Sequence, residues 1–142
     1  MSTGLKNAVL FNQPMISALS FGVIQIYTGA QPASPNDAPT GTLLGTVTRD
    51  GLSWTEGNPQ GGLTLTAIPS FSYLVKSDTQ TWIFTAVDAG QAGWWRFRSN
   101  SDAAVSMDGS ITAPFQELYI GSPTIGTGDT REIEAFQIGF QY

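Results

Sequence analysis

Two hydrophobic periodicities divide the chain. From Gly22 onward apolar residues recur at every second position, the spacing of a half-buried strand; before it they recur at helical spacing. Thr3 is placed to cap a short helix with Leu5, Ala8, Val9 and Phe11 on one face, stopping near Pro14. A helix that short forms only if its apolar face docks on something. Residues 15–21 make a second apolar segment of undefined type.

The alternating part reads as a series of short strands. Ile24 and Ile26 alternate with Gln25 and Tyr27 within 22–28. Residues 31–42 carry Pro32, Pro35 and Pro39 among Ser, Asn and Asp, and read as a long surface loop. A strand over 43–48 runs into an Asp50-Gly51 turn, and a breaker cluster at 57–62 precedes the clean alternation of 63–66. Strands over 72–76 and 81–87 flank a polar stretch, and the second places Trp82, Phe84 and Ala86 on one face. Within 93–98, Trp95 and Phe97 share one face while Trp94, Arg96 and Arg98 share the other. Val105 and Met107 alternate with Ser106 and Asp108; 118–120 opens the last stretch, which the turn-rich 121–128 interrupts.

The final strand changes phase. Ile133 and Ala135 are apolar at odd positions, whereas Phe136, Ile138, Phe140 and Tyr142 are apolar at even ones. A one-residue shift of parity arises from a β-bulge or from a strand that passes between sheets. Roughly eight to ten short strands with regular turn signals predict an all-β fold, an antiparallel β-sandwich of jelly-roll type. The expected organisation is an N-terminal arm over 1–21 and one sandwich domain over 22–142.

Composition narrows the chemistry. The 142 residues include no His and no Cys, and 12% are charged. Without His there is no imidazole base or metal ligand; without Cys there is no thiolate, disulfide or iron–sulfur ligand. The net charge of −5 opposes generic nucleic-acid binding, which needs Lys and Arg to neutralise phosphates. No apolar run approaches the ~18 to 20 residues that span a bilayer, and the first residues lack a signal peptide's apolar core. The chain is therefore expected to be made in a cytoplasm, without a cofactor, a metal or a catalytic role.

Four clusters were candidates for chemistry. Glu132 and Glu134, at i and i+2 on a strand, would stand ~6.5 to 7 Å apart, within the range of paired glycosidase acids. A solvated strand face beside Arg131 accounts for them more simply. Asn100, Ser101, Asp102 and Asp108 offer oxygens for Ca²⁺ but lack the ligand spacing of an EF-hand. Residues 121–128 superficially resemble a phosphate loop without its lysine. The group of Trp94, Arg96 and Arg98 is the strongest: on one strand face it could stack on sugar rings or anchor an interface, or Trp94 could pack under a loop.

Two stretches carry a family resemblance. The opening Ser2-Thr3-Gly4-Leu5-Lys6-Asn7-Ala8 resembles the start of small tailed-bacteriophage proteins encoded near virion structural genes. Gly22-Val23-Ile24-Gln25-Ile26-Tyr27-Thr28-Gly29-Ala30-Gln31-Pro32, with Thr40-Gly41-Thr42-Leu43-Leu44, is similar to their next segment. Thr81-Trp82 and Ala92-Gly93-Trp94-Trp95-Arg96-Phe97 are also similar to that group. The resemblance implies a virion structural protein, and among these a capsid cement or decoration protein that clamps the major capsid protein lattice. It transfers no functional residue.

The expected interface residues come from the chain itself. Leu5, Val9 and Phe11 on the arm would dock on the capsid, with Trp94, Arg96 and Arg98 as a second contact face. The uncharged strand ending in Phe140 and Tyr142 lacks edge protection, so it should be central in a sheet or buried in a two-fold dimer. The alternative is a lectin-like carbohydrate-binding module or a tail or spike component, with glycan held at the Trp94 face. A glycan-cleaving enzyme using Glu132 and Glu134 is the third reading.

Overall fold

In a computed structural model the chain is an all-β sandwich that describes residues 1–12, 14–111 and 117–139. Among the described residues, eleven strands form two antiparallel sheets. The larger contains β1 (Val23–Thr28), β2 (Leu43–Arg49), β5 (Trp82–Thr85), β6 (Gly90–Arg98), β7 (Ser106–Ser110), β9 (Thr124–Ile125) and β10 (Thr130–Glu132). Its order is β10-β5-β2-β1-β6-β7, with β9 added on the start of β6. The smaller sheet has the order β3-β4-β11-β8, from Leu65–Ile68, Tyr73–Lys76, Ala135–Gly139 and Leu118–Tyr119 respectively.

Alternation decides what each strand buries. Ile24 and Ile26 of β1, Trp82 and Phe84 of β5, and Trp95 and Phe97 of β6 are at most 1% exposed, as period two requires of an inner face. Across the gap, Phe136 of β11 meets the rings of Trp82, Trp95 and Phe97 at centroid distances of 5.6, 5.2 and 6.0 Å. Its contact with Trp95 is edge-to-face, the arrangement that the ring quadrupoles favour. One side chain of the small sheet thus plugs into three of the large one.

The phase change of the last strand is a change of sheet, not a bulge. Thr130–Glu132 pairs with β5, and the Ile133 amide still donates to the Trp82 carbonyl at 2.8 Å. Beyond Glu134 the chain joins the other sheet, where Ala135 and Phe136 pair with β8 and 137–139 pair with β4. Each sheet keeps its own inward parity, so Ile133, Phe136 and Ile138 are all buried. Strand β11 is central, the first of the two situations expected for it.

At the N-terminus, α1 (Thr3–Asn7) runs into a π-helical turn (Ala8–Asn12), and α2 (Met15–Leu19) follows Pro14. Ser2, not Thr3, is the cap. Its hydroxyl accepts the Leu5 amide at 3.1 Å and the Ser106 amide at 2.9 Å, and donates to the Ala104 carbonyl. Leu5, Ala8, Met15, Ala18 and Leu19 enter the same buried cluster as the strands. The short helices hold because their apolar side chains complete the sandwich core.

The Asp50-Gly51 turn forms as the sequence predicts. Asp50 (φ 54°) and Gly51 (φ 69°) both occupy the left-handed region, and the Leu52 amide closes on the Arg49 carbonyl at 2.9 Å.

Candidate functional site

Strand β6 presents Trp94, Arg96 and Arg98 away from the core, as its alternation dictates. That face is not open. The loop over 31–42 folds across it, and Trp94 is fully buried. Tyr27, from neighbouring β1, stacks on Trp94 with centroids 4.5 Å apart and planes 12° from parallel. The indole Nε1 of Trp94 donates to the Thr40 carbonyl at 3.3 Å. Arg96 lies over the same indole at 5.4 Å and donates through Nη1 to the Asp37 carbonyl at 3.0 Å. The expected sugar-stacking platform at Trp94 is therefore corrected: the indole is spent on holding a loop.

The loop is also tied from other elements. Ser106 donates to the Pro35 carbonyl, and Asn36 exchanges hydrogen bonds with Thr3 at the start of α1. Gly41 (φ 78°) brings the loop back beside Thr28, where an added Cβ would strike the Thr28 carbonyl.

Electrostatics follow from this closure. Arg96 Nε and Nη2 bond both Asp108 oxygens at 2.7 and 2.8 Å, and the two side chains are 7% and 1% exposed. The hydrogen bond to Asp108 holds the Arg96 guanidinium more firmly protonated than usual, against the opposing effect of burial. Burial raises the Tyr27 phenol, and the nearby Arg96 and Arg98 charges pull it partly back. Arg98 is the more exposed arginine; it pairs with Glu56 at 3.0 Å and lies over the Trp54 ring at 6.0 Å.

The other expected interface positions are distributed. Leu5 is fully buried, so it cannot be a docking residue; its helix face points into the core. Val9 is half-buried against the same core. The Phe11 side chain, Phe140 and Tyr142 lie outside the described residues.

Glu132 and Glu134 do not share a strand face. Glu132 ends β10, while Glu134 sits in the crossover beside Glu117 and Lys76 in an open hollow. Burial raises the Glu117 carboxyl above its ordinary range. The calcium-like set is also dispersed: Asp108 belongs to Arg96, and Asp102 accepts the Ala104 amide in a turn. Among the described residues no cluster of acidic side chains is arranged to hold a metal ion. In the phosphate-like loop, Arg131 donates to the Ser122 and Thr124 carbonyls, and Asp129 accepts the Gly126 amide at 2.8 Å. That amide, with Arg131, depresses the Asp129 carboxyl.

Sequence reasoning missed a second group. Phe21, Trp54 and Asn100 meet where α2, the 50–62 loop and the end of β6 converge. The Trp54 indole donates to the Phe21 carbonyl at 2.8 Å, and the Gly57 amide to the Asn100 carbonyl at 2.8 Å. The only trace of this in the chain is the undefined apolar segment ending at Phe21-Gly22.

The chain matches no protein-family model, no curated protein and no solved structure.

Proposed function

We propose that the chain is a non-catalytic structural protein of a bacteriophage virion, a cement or decoration protein that binds the major capsid protein lattice. One observation carries the reading. The stretches that resemble small phage virion proteins lie in α1, β1, β2, the start of β5 and β6, and β5-β2-β1-β6 are consecutive neighbours in the large sheet. Stretches scattered along the chain thus coincide with one continuous frame, which α1 and the 31–42 loop tie together.

The way polar side chains are used supports the same reading. The buried arginine–carboxylate pair, the covered tryptophan and the Arg131 clamp hold loops against the sheet, giving a rigid outer surface suited to a lattice contact. Binding only the assembled lattice stabilises it by mass action. In this reading the capsid-facing surface is not the Leu5 face of α1, which the core occupies.

Capsids prepared without the chain provide the test. Purified protein added to them should co-sediment in saturable amounts and raise the temperature at which the shells open. Failure to co-sediment with the shell, or binding equally to unassembled capsid protein, overturns the reading. The lectin-like alternative no longer has Trp94 as its platform.

A further inference from the structure

We propose that the hollow between α2 and the turn after β6 is a binding site for a neutral saccharide, with Phe21 as the stacking surface and Asn100 as the hydroxyl-recognising group. This inference goes beyond the capsid reading and stands on separate residues.

The hollow is open, about 410 Å³ in volume, and lined by Ser17, Ser20, Phe21, Asn100 and Ser101. Its lining carries no charge, which disfavours phosphates, carboxylates and ammonium groups as ligands. Three hydroxyls, one amide and one aromatic ring make the complement of a sugar: its hydroxyls need donors and acceptors, and its C–H face meets the negative face of a ring.

Phe21 is held in an unusual state. It has φ 62°, a region that bulky residues avoid, and the residue is 40% exposed instead of being buried in the core. Its amide donates to the Leu63 carbonyl at 2.8 Å, its carbonyl accepts the Trp54 indole at 2.8 Å, and Gly62 packs directly on its backbone. Three separate restraints therefore fix the backbone that carries this partly exposed side chain beside the hollow. Such fixing removes ordering cost from binding.

Asn100 supplies an independent sign. Its Oδ1 is sealed from solvent and has no hydrogen-bond partner, an uncommon condition for a buried acceptor. Because that oxygen is unbonded, turning the amide about its soft terminal torsion toward the hollow breaks no hydrogen bond at Oδ1. A sugar hydroxyl met there would provide the missing donor. Around it, Ser20 donates to the Ile16 carbonyl at 2.7 Å and keeps its lone pairs for a ligand, and Ser101 pairs with Ser99 at 3.2 Å.

The test is an NMR titration of the whole protein with methyl glucoside, methyl galactoside, N-acetylglucosamine and sialic acid, each to about 20 mM, a range that detects millimolar affinity. At least one neutral sugar should shift the amides of 17–21 and 99–101 saturably. Phe21→Gly removes the ring but suits the positive φ, so it should fold at least as stably and bind at least about ten-fold more weakly. Asn100→Ala should weaken binding similarly, while Val87→Ala, in the bend after β5 and not part of the hollow, should leave it unchanged. The proposal is overturned if no neutral sugar shifts these amides, if Phe21→Gly binds as the parent does, or if sialic acid is preferred.

Discussion

Arg96 and Asp108 stand directly opposite each other on β6 and β7, joined by two charge-assisted hydrogen bonds beneath the 31–42 loop. The pair links sheet to loop, because the third arginine bond goes to the Asp37 carbonyl. Removing one partner leaves a charge buried without compensation, which costs about 3–5 kcal/mol, whereas removing both together is far milder. Arg96→Ala should therefore lower the urea midpoint strongly, and Arg96→Met combined with Asp108→Leu should recover most of it. The single variant should also speed hydrogen exchange in the 31–42 loop ahead of global unfolding.

Phe136 contacts the rings of Trp82, Trp95 and Phe97 together. Phe136→Ala opens a cavity between the sheets, and the expected loss is about 3–5 kcal/mol by chemical denaturation. Phe136→Leu should lose clearly less. Equal losses would mean that refilling the cavity recovers nothing and that the ring contacts, not volume, carry the stabilisation.

Ser2 satisfies a helix end and an edge strand at once. Ser2→Ala removes the acceptor for two buried amides, so its cost should reach about 2 kcal/mol, the upper range for a lost cap. Thr3→Ala, next to it, should cost much less, because the hydroxyl it removes accepts from the exposed Asn36 side chain. Thermal melts of the two variants provide the comparison.

Glu117 gives the stability a pH dependence. Burial raises its folded-state pKa, so the folded chain prefers the neutral acid more than the unfolded chain does. Its favourable contribution is complete below the unfolded carboxyl pKa and is lost as pH rises through the raised folded value. Glu117→Gln should flatten that part of the stability–pH profile and be more stable than the parent at neutral pH. An unchanged slope would show that the carboxyl is well solvated.

Strands were legible wherever one face is buried, since period two then marks both the element and its orientation. Trp82, Phe84, Trp95 and Phe97 all point inward as their spacing requires. The outward face of β6 was legible in direction but not in exposure: Trp94 alternates outward and is still fully buried, because a proline-rich loop distant in sequence closes over it. Helical spacing likewise revealed the apolar face of α1 without revealing that Leu5 faces the core of its own domain. The Glu132 and Glu134 pair failed for a different reason. Their i, i+2 spacing implies a shared face only on one continuous strand, and the chain changes sheets between them. The Phe21 and Asn100 hollow was illegible because two segments far apart in sequence build it.

The central claim is that this chain is a stoichiometric part of a phage particle. Quantitative mass spectrometry of phage particles purified from a culture that expresses the chain tests this most directly. The account predicts the 15.1 kDa chain in intact particles at a copy number approaching that of the major capsid protein. Its absence from purified particles, while it accumulates in the infected cell, would contradict it.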